Sequence, residues 1–182
     1  MKKVILRYGL YASITIIVFF AVTWLVFNND QPDYELQEIL GYTGMILSLM
    51  FVFFGIRYYR DHINSGQLGF GEGIKLGSLI VLIPSLAFGL FDIIYVTLLD
   101  PEFMDKYYSY ELNKMKNSMN EDEYKSAATD MESFKAAFSN PFVQFIVMFL
   151  TVFLIGFIIT IISTLLLKRK TNSYEIAGEK MA

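Results

Sequence analysis

Residues 142–167 read FVQFIVMFLTVFLIGFIITIISTLLL, 26 positions without an ionisable side chain, and Lys168-Arg169-Lys170 follows at once. The hydrocarbon core of a bilayer is about 30 Å thick and takes about 20 apolar helical residues. The stretch therefore predicts a membrane-spanning helix with length to spare for tilt. Three more stretches have the same character: Gly9–Phe27, Leu40–Tyr59 and Ile74–Leu99. The four hold 91 of the 182 residues, so lipid is the solvent for half of the chain. Composition agrees, with 54% hydrophobic and 18% charged residues against roughly 45–50% and 25% in soluble domains. Mean hydropathy is +0.44.

Lys2, Lys3 and Arg7 precede the first span, as they would in a secretory signal. About nineteen apolar residues are long for a signal core, however, and Asn28-Asn29-Asp30 follows without a small-residue cleavage site. An uncleaved signal anchor is the expectation. Orientation follows from Lys and Arg, which concentrate on the cytoplasmic side. Residues 28–39 contain Asp30, Asp33, Glu35 and Glu38 and no basic residue. Arg57, Arg60 and Lys75 flank the connection between the second and third spans, where Arg57 can snorkel beside Tyr58 and Tyr59. With Lys168-Arg169-Lys170 at the end of the fourth, both termini are expected in the cytoplasm and residues 100–141 outside.

That outer segment carries five lysines and nine acids. Asp100-Pro101 has the form of an N-cap followed by proline at the first helical position. Met104, Tyr108, Leu112, Met115 and Met119 then recur at helical spacing. Asn120 with Glu123 resembles a capping box and starts a second helix, whose apolar face is Tyr124, Ala127, Met131, Phe134 and Phe138; Asn140-Pro141 ends it. An amphipathic helical hairpin about 27 Å long is expected. Glu121, Asp122 and Glu123 sit at a helix start, where acids suit the dipole, and no catalytic or calcium role is assigned to them.

Cysteine is absent and His62 is the one histidine, which removes disulfides, thiolate sites and imidazole clusters. A formal charge of −3 gives no reason to bind nucleic acid. Asp92 is the acid that lies inside a span, about 10 Å below its outer boundary at 1.5 Å per residue. An intramembrane carboxylate usually faces the bundle interior and marks a functional candidate. Matching depth names Ser48 and Thr151 as its partners. A structural role would have Asp92 hold helices together by hydrogen bonds; a transport role would use its charge, with Pro84 as hinge. Pro84 leaves the Ile80 carbonyl without its usual donor, so a kink is expected there. Gly69-x-Gly71-x-Gly73-x-x-x-Gly77 lacks the spacing of a phosphate loop and reads as a flexible inner loop leading into the third span. Gly9/Ser13, Gly44/Ser48, Ser85/Gly89 and Gly156/Thr160/Thr164 are small-residue faces that let helices approach closely.

Arg7-Tyr8-Gly9, the run Gly55-Ile56-Arg57-Tyr58-Tyr59-Arg60-Asp61, the run from Leu68 to Gly77, Asp100-Pro101-Glu102-Phe103, Asn140-Pro141-Phe142, Gly156 and Lys168-Arg169-Lys170 occur in this order. The chain thereby resembles, over about residues 3–170, a bacterial membrane-protein family known as domain of unknown function 4199. The resemblance implies a small four-helix membrane protein and carries over no catalytic residue.

The expectation is therefore an all-α integral membrane four-helix bundle with an extracytoplasmic hairpin at 100–141. It would form a single domain over 1–170, with a mobile cytoplasmic tail at 171–182, in the bacterial inner membrane. The leading function is a non-enzymatic structural or accessory component of the envelope, without cofactor, metal or catalytic residue. The alternative is a small-solute or proton-coupled transporter using Asp92 and the Pro84 kink. The expected partners are the lipid bilayer and, through 100–141, a second copy of the chain or another envelope protein.

Overall fold

A computed structural model describes residues 1–27 and 33–169. The Asn28-Asn29-Asp30 segment, Lys170 and the expected tail at 171–182 lie outside the described residues. Six α-helices follow one another: α1 (Lys2–Phe27), α2 (Tyr34–His62), α3 (Phe70–Ile94), α4 (Phe103–Ser118), α5 (Glu121–Phe138) and α6 (Pro141–Leu167). Helix α3 continues into a π-helical turn, Tyr95–Leu99. Helices α1, α2, α3 with its π turn, and α6 are each long and apolar enough to cross a membrane. All four start ahead of the predicted apolar stretches, α1 at Lys2, α2 at Tyr34, α3 at Phe70 and α6 at Pro141, and α2 also runs on to His62, whereas the other three end where predicted. Hydrophobicity marks the part in hydrocarbon, whereas the backbone hydrogen-bond ladder carries on into the interface.

Helix α3 packs on α6 and α1, α2 packs on α1 and α6, and α2 meets α3 across the middle. Ile16, Leu49, Val52, Ile56, Ile80 and Val152 are fully enclosed between them. The outward faces are as apolar as the core. Leu150, Leu154, Ile158 and Ile162 recur every four residues on α6 at 44–57% exposure, a stripe that suits lipid and would be costly in water.

The α3/α6 seam is held by small residues. A Cβ built on Gly73 would stand 2.6 Å from Thr164 Cγ2, and one on Gly156 2.5 Å from Val81 Cγ1; one on Gly77 would run into Thr160. The glycine series is therefore no flexible loop. Gly69 caps α3, and Gly71, Gly73 and Gly77 lie within it. Glycines at Gly73 and Gly77 flatten one face of α3, and the β-branched Thr160 and Thr164 fill it.

At this end the connections are also tied down. Leu68 and Arg169 exchange backbone hydrogen bonds of 3.0 and 3.1 Å, and Arg60 donates to the Leu167 carbonyl at 3.3 Å. The Tyr59 hydroxyl and the Asn64 amide both donate to the Glu72 carboxylate, at 2.8 and 3.1 Å. Arg57 pairs with Asp61 at 3.7 Å, and His62 stacks on Tyr58.

Three expectations for residues 100–141 change. Asp100-Pro101 does not cap α4: the Asp100 N–H closes the π turn on the Tyr95 carbonyl, and Pro101-Glu102 form a turn before α4 starts at Phe103. Phe134 is 61% exposed and lies off the packed face, whereas Tyr108 is buried and Met131 half-buried. The chain folds back at Met119-Asn120, so that Lys135 near the end of α5 pairs with Asp105 near the start of α4. Asn120 and Glu123 form both bonds of the capping box. Asn140, expected to end α5, instead caps α6, with Pro141 as its first residue.

Candidate functional site

Towards its Leu99 end the seam between α3 and α6 changes character. Gly89 meets the ring of Phe145, and past Asp92 the π turn begins, with Asp100 N–H donating to Tyr95 O at 2.9 Å. Such turns often mark functional sites. Beside this close contact of Gly89 with Phe145, aromatic side chains of α1, α2, α3 and α4 face one another. They enclose a cavity of about 430 Å³, within the roughly 300–1,000 Å³ of small-molecule pockets.

Helix α1 contributes Phe20 and Trp24 to the wall, α2 contributes Tyr34, Glu38 and Tyr42, and α3 contributes Phe88, Asp92 and Tyr95. Phe103 and Tyr107 of α4 close one side, packed on Tyr34 with ring centroids 6.2 and 5.7 Å away. The carboxylates on the wall are Asp92 and Glu38, and among the described residues no basic side chain lines it. Around the mouth the lysines are paired, Lys114 with Glu35 and Lys106 with Asp100 and Glu102. Burial and the charges of Glu111 and Glu38 push the Tyr107 phenol up from its ordinary pKa, which leaves it a neutral donor.

Within this frame Asp92 faces the cavity, and its Oδ2 is buried without a hydrogen-bond partner. The side chain that bears on its carboxyl is Gln144, buried in the first turn of α6. Ser48 and Thr151, matched to Asp92 by depth, use their hydroxyl protons elsewhere. Ser48 donates to the Gly44 carbonyl at 2.7 Å and Thr151 to the Val147 carbonyl at 2.9 Å. Thr151 shares the cavity wall with Asp92; Ser48 is enclosed in the core. Pro84 is buried inside α3, and a π-helical turn follows further along at Tyr95–Leu99.

Gln144 was visible in the sequence as the amide within the last apolar stretch. It was missed because depth was counted from span ends. The contacts Gly73–Thr164, Gly77–Thr160, Val81–Gly156 and Gly89–Phe145 set the register and bring Asp92 level with the start of α6. Trp24, Tyr34, Glu38 and Tyr95 left no comparable signal, since aromatic residues are common at membrane interfaces.

The arrangement is a one-ended recess: aromatic walls, two carboxylates and an unpartnered oxygen at one end of the bundle, tight glycine packing at the other. It is large enough to receive a small molecule. No curated protein and no solved structure matches the chain. A family model described as "Protein of unknown function (DUF4199)" matches residues 7–169, and the chain belongs to that family.

Proposed function

We propose that this chain is a non-enzymatic, multi-pass protein of the bacterial inner membrane that serves an envelope assembly as an accessory and receives a small ligand in its recess. Both termini face the cytoplasm and α4 and α5 stand outside, because Lys and Arg gather at the end where α1 starts and α6 finishes. The recess then opens outward. The observation that carries the proposal is the contrast of a tied, glycine-packed inner end with a hollow outer end reaching Asp92. The hydroxyls of Ser48 and Thr151 are bonded to their own helices rather than to a base, which supports a binding role over a catalytic one. The exposed Phe134 face of α5 offers a contact for a second copy or an envelope partner.

Orientation is tested with single cysteines, since the chain has none. An impermeant reagent on intact cells should label Asn29→Cys and Asn117→Cys and leave Ser65→Cys and Ser173→Cys untouched; the reverse pattern overturns the orientation. A second function, transport, is favoured by one observation, that Asp92 faces an opening at one end only, as in one half of an alternating-access cycle. Purified protein in sealed vesicles distinguishes the two. A binding accessory moves neither protons nor solute, whereas saturable flux lost in Asp92→Asn would replace the accessory role with transport.

A further inference from the structure

We propose that the recess binds a monovalent organic ammonium ion with an apolar body. This rests on the recess being a ligand site and adds the chemistry of its ligand. Charge is the first ground. Both carboxylates on the wall, Asp92 and Glu38, lack a basic partner among the described residues, while the lysines at the mouth are each engaged by a carboxylate. Asp92 Oδ2 is enclosed without a partner; an ionised carboxylate so placed is costly, and a bound cation would supply the missing countercharge.

The rings are the second ground. Trp24 meets Tyr95 at 87°, Tyr95 meets Phe103 at 68° and Phe103 meets Tyr34 at 65°. Successive rings standing nearly at right angles turn their faces in different directions, which is how aromatic cages hold ammonium groups. Deeper in, Met45, Phe88 and Met148 offer an apolar surface for the body of the ligand. Anions would meet two like charges, one of them, Asp92, with a buried oxygen. A phospholipid headgroup brings a phosphate beside its ammonium and suffers the same repulsion, so the ligand is a free solute.

Trp24 is the chain's one tryptophan and lies on the wall, so intrinsic fluorescence reports on the recess directly. The experiment titrates the full chain, in phosphatidylglycerol nanodiscs, with phenethylammonium, 2-phenylethanol and phenylacetate, which are near in shape and differ in charge. Phenethylammonium should give a saturable change with an affinity about tenfold or more above that of the alcohol, and phenylacetate none. Asp92→Asn should weaken it about tenfold, the equivalent of 1.4 kcal/mol. Glu38→Gln, at an exposed position that leaves the fold untouched, should weaken it about twofold or more. Equal affinity for the alcohol, or unchanged affinity in both variants, overturns the ammonium assignment and leaves the ligand site standing. Saturation by none of the three probes overturns the ligand site itself. Weaker binding in equimolar phosphatidylglycerol/phosphatidylethanolamine nanodiscs than in equimolar phosphatidylglycerol/digalactosyldiacylglycerol nanodiscs, which match in surface charge, would place the ammonium on a lipid and overturn the free-solute assignment.

Discussion

The two ends of the helix bundle are built from the same apolar helices and reach opposite results. At one end Gly73, Gly77 and Gly156 let Thr164, Thr160 and Val81 press against bare backbone, and the core there is closed. At the other, Trp24 of α1, Tyr34 of α2, Phe88, Phe91 and Tyr95 of α3 and its π turn, and Tyr107 of α4 line a cavity of about 430 Å³. In water an apolar hollow of that size would tend to collapse. Between helices already solvated by lipid the hydrophobic drive is absent and close packing is the adhesive. Side-chain size therefore decides locally whether helices touch. The polar groups do not follow this division: hydroxyls bond within their own helices at both ends, as Thr160 and Thr151 do, and buried atoms without a partner are found at both, Thr164 Oγ1 at the closed end and Asp92 Oδ2 and Trp24 Nε1 at the hollow one.

If the contrast is right, adding a methyl should hurt at the packed glycines and not on the cavity wall. Gly77→Ala drives a Cβ into Thr160 and Ile56 and should cost about 1–3 kcal/mol by overpacking, read as unfolding in detergent or bicelles. Gly41→Ala, on the cavity wall, places its methyl 3.5 Å from Phe20 Cζ. It should be neutral, or stabilising by up to about 1 kcal/mol through helix propensity. Equal losses would break the comparison.

Asp92 sharpens it next. Asp92→Asn keeps shape and hydrogen bonding to Gln144 and should stay within about 0.6 kcal/mol of the parent, whereas Asp92→Leu strands the Gln144 amide and should lose about 0.6–1.7 kcal/mol, the scale of interhelical hydrogen bonds in membranes. A large loss in the Asn variant would mean that the charge itself holds the bundle. Smaller still is the effect expected at α5. Met131→Ser removes a half-buried contact and should raise protease sensitivity of residues 103–138 modestly. Phe134→Ser, at a position 61% exposed, should leave digestion unchanged.

Much of this architecture could be read in advance. Runs such as 142–167 need no tertiary information, because a bilayer demands helices of a fixed apolar length. Asn120 with Glu123 likewise declared a helix start through local chemistry alone. Register was hidden: which glycine meets which threonine depends on two helices far apart in sequence, and miscounting it led to Ser48 and Thr151 instead of Gln144. The glycine series around Gly73 looked like a loop because glycine breaks helices in water, where its backbone entropy is decisive. In a membrane bundle the close contact it permits outweighs that cost. The recess itself had no signature, being defined by where five helices leave space. Asp92 was recognisable by its cost in lipid, but its surroundings were not.

Thiol accessibility tests the central contrast most directly. Thr23→Cys and Thr151→Cys line the recess, while Ser13→Cys and Thr160→Cys sit in the closed core; all four exchanges nearly conserve volume. A water-soluble methanethiosulfonate reagent should modify the first two in the folded protein and leave the last two unreacted until it is unfolded. Modification of Ser13→Cys or Thr160→Cys at rates matching the recess positions, or protection of all four, would contradict a bundle closed at one end and hollow at the other.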